Sequence, residues 1–366
     1  MEYDVIIAGA SFGGLAVAAQ LRGRKVLLIE PNPIGAVRTS ACGTLLSVLN
    51  ATQTTDSLLQ VHRRFVLHLA RRTYVVPLPD PFCTFDYHRF CRRLFAQTNA
   101  TLLPAAALGH DGHTVYTTRG AFTGRVLVDA SGWRAALSGN GQQAQAHEGM
   151  SFGLETTVPV PEEGLHFWYD PARLLPKGVT WLFPAAAASR AGFASYVGQT
   201  RLKPGLERWL DQALGQDTDG FHGGYFPYRR RAATSGVVFR VGDAAGQCVP
   251  LTGEGIRPAL YFGAIVGRLA RMVLAGLLSE ADALRLYRRQ VSAYRPLYDF
   301  LLVAQKLLTN ISISGVIGVA TFIQRAGLFS PIMRGYRKVM EPAQLGTRDL
   351  PVGDVLLFAA TERPKL

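Results

Sequence analysis

The first thirty residues contain the pattern that most constrains how this chain folds. An apolar run at 4–8 leads directly into Gly9-Ala-Ser-Phe-Gly-Gly14, and the helix-like segment 15–21 follows it. A second apolar run, 25–29, ends in Glu30. Strand, glycine-rich turn, helix, strand and acid in this order are typical of a βαβ unit, in which a crossover joins two parallel strands.

The spacing of these residues predicts a dinucleotide site at the end of the first strand. Gly9 permits the tight turn, Ser11 is small enough for a pyrophosphate to approach the backbone, and Gly14 allows close helix–strand packing. The helix N-terminus around Gly13 offers N–H groups and positive potential to phosphates. Glu30 would accept hydrogen bonds from ribose hydroxyls. This half of the site does not distinguish FAD from NAD.

A second glycine-rich segment, 241–257, follows another strand-like run at 237–241. An acid directly after this run would accept hydrogen bonds from the ribityl hydroxyls of a flavin. The helix that begins after the segment would direct its N-terminus at the flavin ring. Together the two segments predict one FAD site. The residues of the second segment assigned to it are Gly242, Asp243, Pro250, Gly253, Gly255 and Ile256.

Several motifs resemble one flavoprotein family. The sequence GDAAG followed by PLTGEGI, at 242–256, resembles the geranylgeranyl reductase family of the p-hydroxybenzoate-hydroxylase-like superfamily. Thr180-Trp-Leu-Phe-Pro184 is similar to the family's YxWxFP substrate-cavity motif, and Cys42-Gly43 to its Cys-Gly beside the isoalloxazine ring. The run 126–132 resembles a strand end common in the superfamily, with Asp129 and Gly132 retained.

The resemblance implies a cofactor, a reaction and a set of site residues. It implies that the chain binds FAD, with Asp129 and Gly132 among the binding residues, and reduces C=C bonds of a geranylgeranyl-type isoprenoid lipid by hydride transfer from reduced flavin. Cys42, Trp181 and Phe183 are then the catalytic residues. Trp181 and Phe183 would line an apolar slot, whereas Cys42 would either donate a proton or pack as a small buried residue.

The chain also departs from the family pattern. Val179 stands where the family has Tyr, Tyr87 where an FAD-contacting Arg is common, and Ser131 where an acid is usual. The pair Arg257-Pro258 follows Ile256 in place of small or aromatic residues.

Three other functions therefore stay open. An FAD-dependent monooxygenase or halogenase acting on an aromatic or apolar substrate would share the fold, although the WxWxIP motif of halogenases is missing from the sequence. A lycopene-cyclase-like enzyme would need an acid over the ring, for which Glu254 is the candidate. A flavin- or lipid-binding protein without catalysis is the non-enzyme alternative.

The composition points to partners more than to chemistry. The net charge is +13, the hydrophobic content 48% and the mean hydropathy +0.12. These values favour contact with an anionic membrane surface, a phosphorylated substrate or NADPH, or a merely solvated basic surface. Scattered arginine pairs without a recognised module argue against nucleic acid. NAD(P)H or a ferredoxin is the expected electron donor.

Cysteine spacing and the N-terminus indicate the compartment. The four cysteines show no metal-ligand spacing, so no metal site is predicted. No secretory signal is recognisable. We expect a cytoplasmic protein that contacts the inner face of the membrane peripherally.

The expected architecture is α/β, with a Rossmann-like FAD-binding domain, an inserted antiparallel β-sheet lobe and a C-terminal helical region. The FAD domain is predicted to be discontinuous, at 1–45, 80–140 and 225–290. The substrate lobe takes 46–79 and 141–224. The segment 138–147, at the boundary between the two domains, is predicted to be a polar, exposed link. The C-terminal region is 291–366. Its apolar stretch 301–323 predicts a helix pair that caps a tunnel, lies on a bilayer or packs on the FAD domain.

Overall fold

The secondary structure alternates strands and helices in the first half and becomes helical at the C-terminus. The computed structural model of the chain describes residues 2–38, 40–139, 149–215, 220–341 and 345. Most of the predicted link at 138–147, and 342–344 and 346–366 of the predicted C-terminal region, lie outside the described residues. The strands are β1 (Tyr3–Ala8), β2 (Val26–Ile29), β3 (Gly43–Leu45), β4 (Leu58–Leu69), β5 (Arg72–Phe85), β6 (Thr101–Leu103), β7 (Ala107–Asp111), β8 (Thr114–Thr117), β9 (Gly120–Asp129), β10 (Met150–Val158), β11 (Leu165–Tyr169), β12 (Gly178–Ala185), β13 (Ala188–Ser195), β14 (His222–Pro227), β15 (Thr234–Ser235) and β16 (Val238–Arg240).

Nine α-helices are present in the described residues. The helices are α1 (Phe12–Ala19), α2 (Leu46–Ala51), α3 (Tyr87–Phe95), α4 (Lys203–Leu214), α5 (Ile256–Leu274), α6 (Glu280–Ala293), α7 (Arg295–Leu308), α8 (Ile313–Arg325) and α9 (Phe329–Lys338). Short 3-10 turns follow two of the strand ends that matter for the site, at Gly132–Arg134 and Gly242–Ala245.

The first sheet is the parallel one predicted from the βαβ pattern. Its strand order is β15-β16-β9-β1-β2-β6, and β16, β9, β1, β2 and β6 run parallel. The β7–β8 hairpin joins through β9. The chain passes from β1 to β2 on one side and reaches β9 on the other. The carboxyl ends of β1 and β9 therefore form the switch point at which α/β sheets bind ligands.

Helices α1 and α5 pack against each other over this sheet because glycines let their backbones approach. A Cβ at Gly263 would lie 2.6 Å from the Gly13 carbonyl oxygen, and one at Gly267 would lie 2.7 Å from that of Val17. These two glycines are four residues apart and so share one face of α5. Both helices are buried along most of their length.

The second sheet carries the predicted substrate lobe. Its order is β14-β10-β13-β12-β11-β4-β5-β3, and every pairing is antiparallel except β11 with β4. The fold class expected from the sequence, α/β with a mostly antiparallel lobe and a helical C-terminus, is confirmed. Sheet membership departs from the expected domain boundaries at β3, at the end of β5 and at β14, because these strands continue the second sheet.

The apolar stretch 301–323 forms two helices, α7 and α8, separated by a break at 309–312. The Ser312 hydroxyl caps α8 by accepting from the Gly315 N–H. Among the described residues, no single helix has the length and apolar composition to cross a membrane. Helices α8 and α9 meet that test only together, with a bend of 91° between them.

Candidate active site

The glycine-rich turn after β1 is closed by backbone contacts that admit no side chain. Gly9 has φ +96°, and a Cβ there would lie 2.3 Å from the Ala130 carbonyl oxygen. A Cβ at Gly14 would lie 1.9 Å from the Gly9 carbonyl oxygen. Because all these neighbours are backbone, they cannot move aside. The predicted roles of Gly9 in the turn and of Gly14 in close packing both have a direct geometric basis.

The two glycine-rich segments predicted to share a site lie side by side. A Cβ at Gly13, in the first turn of α1, would lie 2.9 Å from a methyl group of Val241. Gly242 follows with φ +66°, in contact range of Ala259 on α5. The N-termini of α1 and α5 are thus brought to the same edge of the sheet, together with the turn that contains Asp243.

Of the three acids predicted at strand ends, Glu30 lies against the glycine-rich turn after β1. Its Oε2 accepts from the Ala10 N–H at 3.2 Å, and its Oε1 accepts from the Asn32 backbone and side-chain N–H groups. The side chain is half-buried. Its position beside the turn agrees with the spacing that suggested contact with a ribose.

The resemblance implied that Asp129 binds FAD, but its carboxylate is occupied by hydrogen bonds within the protein. The carboxylate is fully buried and accepts five hydrogen bonds from within its own loop, from Ser131, Leu137 and Ser138. We therefore assign it a positioning role: it holds the loop that carries Gly132. The same bonds explain Ser131, whose hydroxyl donates to Asp129 at 2.6 Å. An acid there would face Asp129 with like charge.

The carboxylate of Asp243 is different because it lacks partners. In the part of the chain that the structure describes, no donor bonds to it. Its Oδ1 faces Gly255, 3.9 Å from where a Cβ would stand. Burial raises the pKa of Asp243 to about 6, against the opposing effect of the Arg231 guanidinium. The residue is half-buried, so its free oxygens can accept hydrogen bonds from a ligand that enters between the two glycine-rich turns.

The loop after Asp243 is fixed by side chains from the C-terminal helices. Gln247 accepts from the Gly242 N–H at 2.7 Å and donates to the Tyr287 hydroxyl of α6. Tyr298 of α7 donates to the Gln247 carbonyl oxygen. Further along, Gln305 accepts from the N–H of Leu251, a residue held at φ +66°. The loop that includes Pro250 and Gly253 is thereby held in one conformation.

The start of α5 is held by a buried ion pair. Arg257 bonds both carboxylate oxygens of Glu254, at 2.5 Å and 2.7 Å, and the side chains are 3% and 8% exposed. Arg257 also donates to the carbonyl oxygens of Tyr336 and Val339 and lies over the Tyr336 ring. This tie to α9 explains the unusual Arg257. It also removes Glu254 as the free acid that a cyclase would need.

Cys42 is buried and conformationally strained. It has φ +57°, its thiol donates to the Ser40 carbonyl oxygen, and burial raises its pKa to about 12. Arg190 donates to the carbonyl oxygens of Ala41 and Phe85, and Phe85 in turn donates its N–H to the Cys42 carbonyl. Arg190 therefore holds the segment around Cys42 against the second sheet. No sequence pattern had pointed to Arg190.

The predicted catalytic residues are close to one another. A Cβ at Gly43, next to Cys42, would lie 2.9 Å from the Phe183 ring, and the Phe183 and Trp181 ring centroids are 6.4 Å apart. From Phe183 a row of rings, each 4.9–5.5 Å from the next, spans the four neighbouring strands β12, β11, β4 and β5. The other members of this aromatic row are Phe167, Phe65 and Phe82. It forms an apolar wall on the second sheet.

A polar cluster lies beside this wall. Glu155 of β10 is 4% exposed, and it accepts from the Trp181 indole N–H at 3.2 Å. Its other oxygen is 3.1 Å from His222 Nε2 and 3.3 Å from the Arg38 guanidinium. Arg38 Nε also lies 2.9 Å from the same His222 nitrogen. One nitrogen cannot accept from Arg38 and donate to Glu155 at once, so the position of the histidine proton selects the bond.

Tyr87, at the position of a usual arginine, fills the space under the turn. Its hydroxyl lies 2.9 Å from Ser11 Oγ, and its ring packs edge-on against Phe12. Ser11 therefore uses its hydroxyl for this bond and leaves the first N–H groups of α1 uncapped. Uncapped N–H groups are what a phosphate at a helix N-terminus requires.

The remaining predicted residues lie in the same region. Ile256 is the buried first residue of α5, behind Gly255, which gives that helix no side-chain cap. Gly132 has φ +78° with open space around it. No sequence pattern pointed to Glu155 and His222, which lie 67 residues apart and meet only through the register of β10 with β14.

Comparisons with known proteins agree with the motif resemblance. No protein-family model matches the chain. A curated relative, the digeranylgeranylglycerophospholipid reductase of Methanocaldococcus jannaschii, is 28% identical over 144 residues. That match covers 37% of this chain and 37% of the relative.

Solved structures match over nearly the whole chain. A geranylgeranyl bacteriochlorophyll reductase-like protein from Thermoplasma acidophilum has a TM-score of 0.75 at 17% identity, covering 99% of this chain and 97% of the other. The myxobacterial chondrochloren halogenase CndH, an FAD-dependent halogenase, has a TM-score of 0.64 at 18% identity, covering 98% and 96%. The resemblance to geranylgeranyl reductases is confirmed by both comparisons, and the fold is one that such a reductase-like protein shares with an FAD-dependent halogenase.

Proposed function

We propose that the protein is an FAD-dependent oxidoreductase that reduces C=C bonds of a geranylgeranyl-type isoprenoid lipid. The observation that carries the proposal is the meeting of two glycine-rich turns at one sheet edge, with the unpaired Asp243 carboxylate between them. The similarity to a digeranylgeranylglycerophospholipid reductase and to a geranylgeranyl bacteriochlorophyll reductase-like protein supports the substrate class.

The residues present fit a flavin dinucleotide. The turn around Gly9 and Gly14 leaves bare backbone beside the uncapped start of α1, which suits a pyrophosphate. Glu30 would accept from ribose hydroxyls. Asp243 has free acceptor capacity that hydroxyls of a ribityl chain would use, and the uncapped N-terminus of α5 would stabilise negative charge. When bound, the flavin supplies hydride transfer.

The second sheet would bind the lipid. The aromatic row that begins at Phe183 offers an apolar surface several rings long, which matches an isoprenoid chain in polarity. Trp181 is held by its bond to Glu155, and Gly43 leaves room for the Phe183 ring. Fixed aromatic walls would hold an isolated double bond in one orientation, which matters because such bonds are hard to reduce.

Two groups of this lobe carry exchangeable protons. The Cys42 thiol stays protonated at neutral pH because burial raises its pKa to about 12. That property suits a packing residue, and it makes the thiol a weak acid. His222 is a third exposed and bonds to Glu155 and Arg38, so it can pass a proton between solvent and the lobe. We propose His222 as the group that resupplies the proton needed for saturation.

A flavin-dependent monooxygenase or halogenase is the second candidate. The match to the halogenase CndH over 98% of the chain favours it, because the same fold serves both chemistries. The electron donor in our proposal is NAD(P)H or a ferredoxin, and the net charge of +13 would favour an acidic ferredoxin.

The FAD content of the purified protein tests whether the predicted site binds the cofactor. The purified chain should contain one FAD, released on denaturation and identified by mass spectrometry. Gly14→Ala should lose it, because the added Cβ meets backbone at 1.9 Å. Gly335→Ala is the matched control, since no atom lies within 4 Å of that Cβ. A wild-type chain that is folded and cannot be loaded with FAD would refute the proposal.

A further inference from the structure

Exposed apolar side chains are concentrated on the C-terminal helices. Sixteen large hydrophobic side chains are exposed in the described residues, and eight of them lie between 300 and 332. Phe300 and Phe322 are 69% and 65% exposed. We call this set the α7–α9 face; its members are Phe300, Val303, Leu307, Ile311, Val319, Phe322, Leu328 and Ile332. Clusters of this kind mark interaction sites on soluble domains.

The α7–α9 face is the outer side of helices that are anchored on their inner side. On α7, Phe300, Val303 and Leu307 are spaced for one helix face, whereas the buried Tyr298 and Gln305 lie on the opposite one. On α8, Val316 and Ala320 pack against the β4–β5 hairpin, and the Tyr74 hydroxyl bonds Thr321. The helices are therefore held with their apolar side outward.

The charges around the face are nearly all positive. Between 295 and 338 the sequence has six basic residues and one acid, Asp299. Within the described part of the chain, four of the basic side chains have no ion-pair partner: Lys306, Arg325, Arg334 and Lys338. Apolar side chains bordered by unpaired basic ones are typical of helices that lie in the interface of an anionic bilayer.

A cleft at the edge of the face combines both properties. It has a volume of about 570 Å³ and lies between the turn of the β4–β5 hairpin and α8. Arg72 and Arg325 contribute guanidinium groups, and Ile317 and Phe322 contribute apolar walls. Guanidinium groups bind phosphate through paired hydrogen bonds, so the cleft matches a lipid phosphate with the start of its chain.

We propose that the α7–α9 face docks on an anionic lipid bilayer and that Arg72 and Arg325 bind the phosphate of one lipid at its edge. The charge complementarity of the bordering residues favours a bilayer over a second copy of this basic chain, which would be repelled. The surface is separate from the flavin site, so it can be tested without cofactor or turnover.

Vesicle binding by the full chain is the first test. The protein should sediment with vesicles of phosphatidylcholine and phosphatidylglycerol, and much less with vesicles of phosphatidylcholine alone. Phe300→Ser with Phe322→Ser should lower the partition about tenfold or more, because two large apolar side chains no longer enter the interface. Leu108→Ser is the matched control on the β7–β8 hairpin, where Leu108 is 63% exposed.

Removal of the guanidinium groups tests the cleft. Arg72→Gln with Arg325→Gln should weaken binding to the anionic vesicles about 25-fold, at about fivefold for each charge, and leave binding to the zwitterionic vesicles unchanged. Arg119→Gln with Arg22→Gln is a charge-matched control away from the face. An equal loss of vesicle binding in the two double variants would overturn the assignment of the cleft.

A fluorescent label distinguishes a bilayer from other occupants. All four native cysteines are buried, so Val319→Cys introduces the one reactive thiol for a polarity-sensitive dye. Its emission should shift to the blue only when anionic vesicles are added. A shift in buffer alone, dependent on protein concentration, would identify a second copy. A shift in buffer that is independent of concentration would identify residues 346–366 as the cover, and either result would overturn the proposal.

Discussion

The Asp243 carboxylate should make the stability of the cofactor-free protein depend on pH. Its pKa is raised to about 6 by burial, so folding favours its protonated form. The cofactor-free chain should therefore lose on the order of 2 kcal/mol of unfolding free energy as the pH rises from about 4 to about 6, and the loss should persist at higher pH. Asp243→Asn should lack this contribution. Urea unfolding of both chains across that range measures the difference.

The same substitution separates binding from stability. Asp243→Asn should hold FAD more weakly than the wild type while its cofactor-free form is the more stable of the two above about pH 6. Identical pH dependence in the two chains would mean that Asp243 is solvated and outside the site.

The thiol of Cys42 should be unreactive in the folded protein. Burial raises the pKa of Cys42, Cys83 and Cys91 to about 12, and it raises the pKa of Cys248 well above the ordinary thiol value. A thiol-exchange reagent near pH 8 should modify none of the four before unfolding and all four afterwards. One fast-reacting thiol that disappears in Cys42→Ser would show instead that Cys42 is an exposed nucleophile.

Individual residues were predictable from sequence when their partners lie nearby in the chain. Gly14 meets the Gly9 carbonyl within the same βαβ unit, and the spacing alone indicates its role. The spacing also predicted the turn at Gly9, but its close contact with Ala130 joins segments about 120 residues apart and was not foreseeable. Asp129 was assigned to the cofactor, although its partners are the loop residues that directly follow. Glu155 left no signal, because its contacts to His222 and Arg38 exist only once strands distant in sequence are paired.

The contact between β3 and β12 determines where the aromatic wall begins. Gly43→Ala should push the Phe183 ring, since the new Cβ would stand 2.9 Å from it. We expect a loss of about 1–3 kcal/mol in unfolding free energy and a lower kcat/KM for the lipid. Gly224→Ala in β14 is the control, as its Cβ would meet no atom within 4 Å. Adding Phe183→Leu to Gly43→Ala should recover stability; failure to do so would argue against this contact.

The junction of α5 with α9 depends on one arginine. Arg257→Met leaves the buried Glu254 carboxylate unpaired, which should cost about 3–5 kcal/mol of unfolding free energy. Glu254→Gln with Arg257→Met should recover much of that loss. Arg285→Met breaks an exposed pair with Asp282 and should cost less than about 1 kcal/mol. Equal costs for the two single variants, measured by urea unfolding, would contradict a buried pair.

Elements were predictable where periodicity is local. Four strands of the lobe are expected from periodicity, at 151–158, 165–169, 179–183 and 192–199. The first three are observed within two residues, at Met150–Val158, Leu165–Tyr169 and Gly178–Ala185, whereas the fourth lies four residues earlier than expected, at Ala188–Ser195. The parallel pairing of β11 with β4 was not foreseeable, because nothing within either strand encodes its neighbour. The same holds for Arg257, whose partners on α9 lie about eighty residues away.

At the scale of the whole molecule, the first sheet supplies phosphate- and hydroxyl-binding groups and the second supplies an apolar wall. The two are joined at the segment around Cys42, where Arg190 ties the backbone to β13 and Phe85 packs on Phe12 of α1. A cofactor held by the first sheet and a chain bound along the second would therefore meet at this junction.

One anaerobic measurement tests that arrangement most directly. The flavin of the purified protein is reduced with dithionite, detergent-solubilised geranylgeranyl lipids are added, and flavin absorbance and lipid mass are followed together. We expect the flavin to be reoxidised while the lipid gains two hydrogens for each double bond reduced. A flavin that is reoxidised by oxygen and never by such lipids would contradict the reductase assignment and favour the monooxygenase or halogenase alternative.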